Sequence, residues 1–360
     1  MKFENLTIWI ISPEAWGTQK VSKHHYALEL ARRDNEIVFI EPPQAKNPLR
    51  EVSQSISAFS FISFPGLRFF PRFLRRHLIE RDFRRIQKKT GTRPDVIWSF
   101  DNSRLFELDV WKTYVTSLHH VVDLTMDFNL CVAASTSQLC LGTTKFIVAK
   151  MSNCNPKSYN IGHGVNLWDR KPTHGKTRRP RVTYTGNLLI RYLNRELVLS
   201  AVDQYPDADF IFVGSYSIDN MNNHLDADSL AFIDELKQRS NCYLLGAIEK
   251  AAYHNVLDEA DIFIVAYRKQ YYEQVANPHK MLELLYTGRP IVSNVLDEYT
   301  DLKLFDMSDN TADWLALLGE KLENYHSEPQ HLIEKRISHA LRQSYTQQVN
   351  HIEELLNDQG

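Results

Sequence analysis

The residues with the clearest chemical potential lie in the segment from Ala276 to Asn294. Lys280 and Glu283 are three residues apart, so a helix would carry both side chains on one face. Pro278 suits the start of that helix and Gly288 suits its end. Because a helix N-terminus has unpaired N–H groups and a partial positive charge, a phosphate could bind there beside the Lys280 ammonium. A cation for a diphosphate and a carboxylate for ribose hydroxyls favour a nucleotide site, although the same spacing also fits an exposed pair on an ordinary amphipathic helix.

The same segment resembles the nucleotide-sugar loop and helix of the GT-B glycosyltransferases of the group 1 (glycogen synthase/mannosyltransferase-like) superfamily. The matching residues are Asn277, Pro278, Lys280, Glu283, Leu284, Leu285, Gly288, Arg289, Pro290, Ile291, Val292 and Ser293. The resemblance implies that Glu283 holds the ribose and that the loop before it faces the diphosphate. Many retaining members have a second glutamate eight positions earlier, where this chain has Val275, and the nearby Glu273 is out of register. Retaining stereochemistry therefore does not carry over.

Two strand ends complete the predicted donor site in the second half of the chain. No GxGxxG follows the strand that ends at Gly186, so the pattern suits a sugar diphosphate better than a dinucleotide. The resemblance implies that Gly186, Asn187 and a nearby cation approach the diphosphate, and Arg191 is the candidate cation. It also implies that the strand end at Gly246 to Ile248 binds the base. The donor-binding residues implied are Gly186, Asn187, Arg191, Gly246, Ile248, Asn277, Pro278, Lys280 and Glu283.

Polar residues at two strand ends of the first half are the candidate catalytic and acceptor residues. Asp123 and Asp127 follow a strand, and an aspartate there could deprotonate an acceptor hydroxyl if the reaction inverts the anomeric centre. The same aspartates could instead cap the turn that ends the strand. Trp16 and Gly17 follow the first strand, at the edge where open α/β sheets bind ligands, although this loop could also be a plain connection.

Metal-dependent and nucleophilic chemistry have little support in the sequence. The Asp207–Asp209 and Asp226–Asp228 DxD triplets fall at junctions of helices and strands and fit caps and turns. His119 and His120 lie in a strand, so their rings point to opposite faces. The four cysteines have no CxxC spacing, which predicts reduced thiols rather than a zinc site or a disulfide framework. No P-loop or GxSxG motif occurs, and we expect neither a metal ion nor a cofactor.

A basic segment interrupts the first half. From Gly66 to Arg93 there are ten Lys or Arg residues against two acidic ones, and Ile79, Phe83 and Ile86 recur at helical spacing. Aromatic side chains between cations at the start of the segment favour an anionic membrane surface. The candidate membrane-facing residues are Phe69, Phe70, Arg72, Phe73, Arg75 and Arg76. A solvated basic helix is the alternative, and no nucleic-acid-binding module accompanies the segment.

Strands alternating with helices must position these residues. A chain of 360 residues, 43% of them apolar, suits two domains of Rossmann-like α/β type, and a net charge of −2 gives no global argument for nucleic acid. His163 to Asn166 resembles the turn by which GT-B enzymes leave their first domain. We therefore predict an N-terminal acceptor domain over 1–165 and a nucleotide-sugar domain over 166–335. The resemblance also implies two domains facing across a cleft, with a C-terminal helix over 336–360 that returns to the first domain.

Together these features predict a metal-independent glycosyltransferase of cell-envelope polysaccharide synthesis. It would move a sugar from a UDP- or GDP-sugar to a lipid-linked saccharide. The N-terminal apolar run predicts a first strand rather than a signal peptide, and no segment has 18 uncharged apolar residues. The expected location is the cytoplasm, peripheral on the inner face of the cell membrane. Two alternatives stay open: a nucleotide-sugar 2-epimerase on the same fold, and a non-catalytic nucleotide-sugar-binding partner subunit.

Overall fold

The computed structural model describes residues 1–17, 20–43, 48–111, 115–124, 129–170, 178–216, 227–271 and 277–358. The chain divides into two compact units. Met1–Gly164 and Ser344–Gly360 form the first unit, and Val165–Gln343 forms the second. No helix among the described residues is long and apolar enough to cross a membrane.

Strands and helices alternate through most of the described chain. The strands are β1 (Thr7–Ile11), β2 (Glu36–Glu41), β3 (Leu49–Ser53), β4 (Ile56–Ser60), β5 (Val96–Ser99), β6 (Thr116–Val121), β7 (Leu139–Gly142), β8 (Ser158–Asn160), β9 (Arg181–Thr185), β10 (Asp209–Val213), β11 (Cys242–Gly246), β12 (Ile262–Val265), β13 (Ile291–Ser293) and β14 (Asp306–Met307). The helices are α1 (Ser22–Ala31), α2 (Arg72–Thr90), α3 (Leu130–Thr136), α4 (Lys145–Ser152), α5 (Arg195–Gln204), α6 (Ala227–Gln238), α7 (Lys250–Glu259), α8 (Lys280–Thr287), α9 (Thr311–Asn324), α10 (Gln330–Arg342) and α11 (Tyr345–Asn357).

The described strands of the first unit form one sheet in the order β3-β4-β2-β1-β5-β6-β7-β8. Every pair is parallel except β3 with β4 at the edge. Ile8 and Ile10 pack on one face with α1 and α11, while Trp9 and Ile11 pack on the other face with α2. Because both faces are covered, the central strands are continuous apolar runs, as parallel sheets require.

The described strands of the second unit form a fully parallel sheet in the order β11-β10-β9-β12-β13-β14. Helices α5, α6 and α9 cover one face, and α7, α8 and α10 contribute to the core on the other. The direction of the strand order reverses between β9 and β12. Such a reversal opens a crevice at the carboxyl ends of the strands, where doubly wound sheets bind ligands.

The C-terminal region differs from the single helix expected over 336–360. The chain leaves α10 at Gln343, and the Ser344 side chain accepts a hydrogen bond from the Gln347 N–H at 3.3 Å, which caps a new helix. Helix α10 packs on α8 in the second unit, whereas α11 packs on α1 in the first. The return to the first unit therefore begins at Ser344.

Two local features belong to the first unit. Strand β4 pairs with β3 in an antiparallel hairpin at the edge of the sheet. Ser22 is the first residue of α1. The N-cap is Val21, whose N–H donates to the His24 imidazole Nδ1 at 3.1 Å.

The prediction of four reduced cysteines was also wrong. Cys131 of α3 and Cys154, just after α4, form a disulfide, with Cα atoms 5.4 Å apart. Packing of α3 on α4 brings the two residues together, although 23 positions separate them in sequence. Cys140 and Cys242 are free thiols. Cysteine spacing alone therefore gives no argument for a reducing compartment.

Candidate functional site

Two glycines form the floor of the candidate site in the second unit. Gly186 follows β9 with φ 129°, and Gly214 follows β10 with φ 143°. A Cβ atom on Gly214 would meet the Gly186 carbonyl oxygen at 2.0 Å, so no other residue fits there. The ends of the two strands thus expose backbone without side chains, and this allows close approach of a ligand.

Lys280, the first residue of α8, lies over this floor. Its ammonium donates to the Thr185 carbonyl oxygen and lies 4.3 Å from the centre of the Tyr184 ring and 5.3 Å from that of Tyr267. An added Cβ on Gly186 would be 3.5 Å from the Lys280 Nζ. Burial lowers the pKa of Lys280 to about 7. The structure therefore holds a desolvated amino group at the switch point, where an anion would strongly favour its charged form.

Glu283 lies one turn further along α8. Its Oε2 accepts a hydrogen bond of 3.0 Å from the hydroxyl of Tyr253 in α7. Burial, and secondarily the Glu283 charge, raises the pKa of Tyr253 well above its ordinary value, so the phenol stays a donor. Sequence reasoning missed Tyr253, because only the packing of α7 on α8 brings it to Glu283.

The loop before α8 is anchored on its own unit. The Asn277 side chain accepts a hydrogen bond of 3.0 Å from the Tyr299 hydroxyl, and the Pro278 carbonyl accepts one of 2.9 Å from the Met281 N–H. These contacts fix the direction from which the loop enters the helix. The predictions that rest on Val275 and Glu273 lie outside the described residues.

The remaining donor-site candidates lie on the same edge of the second sheet. The Asn187 side chain accepts from the Leu189 N–H at 2.8 Å and so supports the turn after β9. The Gly246 carbonyl accepts from the Gly214 N–H at 2.9 Å, and Ile248, two residues on, is half-buried. Arg191 is exposed, with its guanidinium 5.4 Å from the Tyr192 ring centre and 5.3 Å from that of Tyr271. The tyrosine contacts hold the Arg191 charge near the surface, whereas Lys280 is the cation at the glycine floor.

In the first unit, Trp16 is a packed residue. Its backbone N–H donates to the Glu41 carboxylate at 2.7 Å. Its ring lies edge-on to Phe39 and to His24, with ring centres 5.0 Å and 5.2 Å apart. Gly17 is exposed, and its carbonyl accepts from the Lys20 ammonium. The Trp16 ring thus forms part of the support of the loop after β1.

Of the two candidate catalytic aspartates, only Asp123 is described. It is exposed just after β6 and lines a cavity with Lys23, a residue of α1. Burial lowers the pKa of Lys23 to about 8, and the Asp123 and Asp101 carboxylates oppose this shift. Asp127 lies outside the described residues.

Solved structures resemble the chain over nearly its whole length. Sucrose-phosphate synthase from Thermosynechococcus elongatus has a TM-score of 0.70 at 13% identity, with 98% of each chain covered. The lipopolysaccharide outer core galactosyltransferase WaaB has a TM-score of 0.66 at 14% identity, with 99% of this chain and 100% of WaaB covered. Anabaena HepE in complex with UDP-glucose has a TM-score of 0.66 at 12% identity, with 98% of this chain and 100% of HepE covered.

The chain has the GT-B glycosyltransferase fold. A Listeria monocytogenes protein described as a UDP-N-acetylglucosamine 2-epimerase matches less well, with a TM-score of 0.55 at 10% identity over 97% of this chain and 95% of its own. No protein-family model and no curated protein matches the sequence. The similarity confirms the predicted fold class of two α/β sheets.

Within this GT-B chain, the basic segment begins before α2 and continues through it. It contains both exposed and partly buried residues. Phe69 and Phe73 are 78% and 77% exposed, and Arg72 is exposed between them. Arg75 and Arg76, by contrast, bind Glu107 at 2.8 Å and Asp109 at 2.5 Å. Phe70 packs on Phe64, with ring centres 5.6 Å apart. Phe70, Arg75 and Arg76 are therefore only partly exposed and contact other residues of the first unit, and their membrane-facing role stays a prediction.

Asp209 and Asp228, one from each DxD triplet, lie at the starts of regular secondary-structure elements. Asp209 begins β10 and pairs with Arg179 at 3.2 Å, while Asp228 is in the first turn of α6. Asp226 lies outside the described residues. Among the residues that the structure describes, no group of three or more His, Cys, Asp or Glu side chains could hold a metal ion.

Proposed function

We propose that this chain is a glycosyltransferase that takes a sugar from a UDP- or GDP-sugar and transfers it to a hydroxyl group of a saccharide. The observation that carries the proposal is the position of Lys280 over the Gly186 backbone at the switch point, with Glu283 one turn away. The amino group and the N-terminus of α8 supply positive charge for a diphosphate leaving group, and Glu283 supplies an acceptor for ribose hydroxyls. HepE, which shares the fold, has been solved with UDP-glucose bound.

The other donor contacts follow from the same edge of the sheet. Backbone groups at Gly186 and Asn187 face the diphosphate, together with the loop through Asn277 and Pro278. Arg191 provides a second, exposed cation, and the strand end at Gly246 and Ile248 receives the base. Charge neutralisation by protein cations supports a reaction that does not need a metal ion.

The proposed acceptor-activating groups are Asp123 and Asp127, with the loop of Trp16 and Gly17 beside the acceptor. Glycosyl transfer with inversion requires a base at the attacking hydroxyl, and a carboxylate can remove that proton as the bond to the anomeric carbon forms. The donor diphosphate leaves with the electron pair of the broken C–O bond.

The acceptor is proposed to be a lipid-linked saccharide used in envelope polysaccharide synthesis, reached by peripheral binding at the inner face of the membrane. Phe69 and Phe73 expose apolar rings, and the Arg68 guanidinium lies 4.7 Å from the Phe69 ring centre. Exposed aromatic side chains beside cations match the chemistry of an anionic lipid surface.

The test of this function is a thermal-shift screen over UDP, GDP and their sugar conjugates, followed by product analysis. We expect one nucleotide series to stabilise the protein, because a ligand at 100 times its Kd adds about 2.7 kcal/mol of stability. Slow hydrolysis of the matching nucleotide-sugar should follow. If no nucleotide or nucleotide-sugar binds, the donor site proposed here is wrong.

The 2-epimerase alternative has one specific observation in its favour, the similarity to the Listeria protein. The same assay separates it, because an epimerase converts UDP-N-acetylglucosamine to the 2-epimer and transfers no sugar to a glycoside. Binding of a nucleotide-sugar without hydrolysis, transfer or epimerisation would instead indicate a non-catalytic partner subunit.

A further inference from the structure

A polar cavity of about 240 Å³ lies in the first unit at the carboxyl ends of β1, β5 and β6. The order of the first sheet changes direction between β1 and β5, so this is its switch point. Lys23, in the first turn of α1, lines one side. The lining residues used below are Glu14, Lys23, Asp101, His119 and Asp123.

His119 is the most informative residue of this cavity. It is only 1% exposed, and neither ring nitrogen forms a hydrogen bond of normal geometry with a described residue, although the Ser99 carbonyl lies close enough to act on the pKa of the ring. Its neighbour His120, on the opposite face of β6, is also unpaired but packs among the rings of Tyr26, Trp98 and Phe100. Buried polar atoms are nearly always paired. At least one ring nitrogen of His119 therefore requires a partner that the described residues do not supply.

The protonation state of His119 limits what that partner can be. Burial lowers its pKa to about 4, against the opposing effects of the Asp101 carboxylate and the Ser99 carbonyl. At neutral pH the imidazole is therefore uncharged and offers one N–H donor and one nitrogen acceptor. A hydroxyl group can form a hydrogen bond with either nitrogen. A neutral imidazole, in contrast, has no positive charge to attract an anion.

The charged groups around the cavity also oppose an anionic ligand. Glu14, Asp101 and Asp123 line it, and Lys23 is the one Lys or Arg among the described lining residues. Lys23 pairs with Glu14, and Arg104, outside the lining, donates to Asp101 at 2.8 Å. Carboxylates accept hydrogen bonds from hydroxyl donors but repel a carboxylate or phosphate.

We propose that this cavity binds an uncharged sugar ring, with His119 bonded to one of its hydroxyl groups. The inference rests on the proposed function, because it identifies the acceptor as a saccharide whose accepting end is a neutral sugar rather than a uronic acid or a phosphorylated sugar. Binding at the cavity is nevertheless a property of the first unit alone and can be measured without a donor.

The experiment is an NMR titration of the full chain with isotope-labelled histidine. The probes are the methyl glycosides of glucose, galactose, mannose and N-acetylglucosamine, with glucuronic acid as the charged comparison. We expect at least one neutral glycoside to shift the ring signals of His119 saturably, while His120 signals and the glucuronate titration change little. The inference is overturned if none of the four glycosides shifts His119, or if glucuronate shifts it equally.

Two matched variants make the result specific. His119→Phe and His120→Phe remove equivalent rings from the two faces of one strand. His119→Phe should weaken glycoside binding at least tenfold, as followed by the Lys23 and Val121 signals of samples labelled at lysine and valine, and His120→Phe should not. Equal losses in two folded variants contradict the inference, and the titration of the native protein decides it if either fails to fold.

Calorimetry with UDP and GDP separates this inference from the donor proposal. If a nucleotide binds but no glycoside shifts His119, only the acceptor inference fails. If a glycoside binds but neither nucleotide does, only the donor proposal fails.

Discussion

Lys280 and Glu283 occupy neighbouring turns of α8, yet different groups support them. The amino group of Lys280 is held by the Thr185 carbonyl and the Tyr184 ring, so its position depends on the end of β9. The carboxylate of Glu283 is held by the hydroxyl of Tyr253 from α7. The two residues should therefore respond to different parts of a donor.

Removal of Glu283 should remove recognition of the ribose. Glu283→Ala should weaken UDP binding by about 1.5 to 3 kcal/mol, because a charge-assisted hydrogen bond is lost. Tyr253→Phe should cost less, about 0.5 to 1.5 kcal/mol, since the carboxylate stays but loses its orienting bond. Calorimetry with UDP and its 2′,3′-dideoxy analogue measures both effects.

The dideoxy analogue is the internal control for this prediction. In the native protein the missing hydroxyls should cost affinity, and in Glu283→Ala they should cost nothing further. A folded Glu283→Ala variant that still prefers the ribose form would show that another group holds the sugar.

Lys280 should make donor binding depend on pH. Its pKa of about 7 in the free protein must rise when a diphosphate binds beside it, so binding takes up a proton. UDP-glucose affinity should therefore be greatest below about pH 7 and fall as pH rises through the pKa of the free protein, by at most tenfold per pH unit. Burial raises the pKa of Tyr184 and Tyr267, so these neighbours stay neutral over this range.

Calorimetry from about pH 6 to 9 measures the pH dependence of UDP-glucose affinity, with Lys280→Arg and Lys280→Met as comparisons. The arginine variant stays charged and the methionine variant stays neutral, so both should lose the slope. A slope that persists in Lys280→Met would assign the titration to another group.

Asp127 is the proposed base, and its prediction rests on chain position alone. Asp127→Asn keeps the size of the side chain but cannot accept the proton, so turnover should fall by about 10² to 10⁴ with donor affinity nearly unchanged. Asp123→Asn is the control and should act mainly through acceptor placement. Near-native turnover of folded Asp127→Asn, or a product that retains the donor's anomeric configuration, would contradict this role.

At the scale of elements, α2 places some residues of the basic segment at the surface and others against the core of the first unit. Ile79, Phe83 and Ile86 are fully buried, as their spacing predicted. The same periodicity turns Arg75 inward to Glu107 and leaves Phe73 outside. The proposed lipid contact is therefore confined to the segment from Arg68 to Phe73.

This confinement can be tested with vesicles. The triple variant Phe69→Ser, Arg72→Ser and Phe73→Ser should release the protein from phosphatidylglycerol vesicles in a flotation assay without changing UDP affinity, because apolar insertion and nearby cations are both lost. Lys88→Ser with Lys89→Ser, at the far end of α2, removes two exposed charges and should have little effect. Equal release by both variants, or no binding by the native protein, would leave α2 as a solvated helix.

The disulfide between α3 and the turn after α4 should stabilise the first unit. Cys131→Ser should lower its free energy of unfolding by about 2 to 4 kcal/mol, since a closed loop restricts the unfolded chain. Urea denaturation followed by tryptophan fluorescence measures this change. UDP affinity, a property of the second unit, should stay the same, and Cys242→Ser is the control for loss of a free thiol. An unchanged unfolding midpoint in Cys131→Ser would contradict the prediction.

At the scale of the whole molecule, each unit has its own reversal of strand order. In the second unit the glycine floor, Lys280 and Glu283 gather at the edge that β9 and β12 share. In the first unit, the cavity that contains His119 lies between β1, β5 and β6. The GT-B fold thus provides two separate ligand edges, to which the proposals assign the donor and the acceptor.

The sequence by itself determined the features that depend on neighbours along the chain. The apolar strands, the fold class and α8 with its glycine end were predicted because strand and helix periodicity are local properties. Gly186 was found for the same reason, as the residue that directly follows a predicted strand.

Only the tertiary structure decided which residues meet across elements. Tyr253 binds Glu283 from a helix 30 positions away, and Cys131 joins Cys154 across 23 positions. The strand pattern placed His119 and His120 on opposite faces but could not say which face would be filled with aromatic rings and which would border a cavity. These outcomes depend on how separate elements pack, and local periodicity carries no information about packing partners.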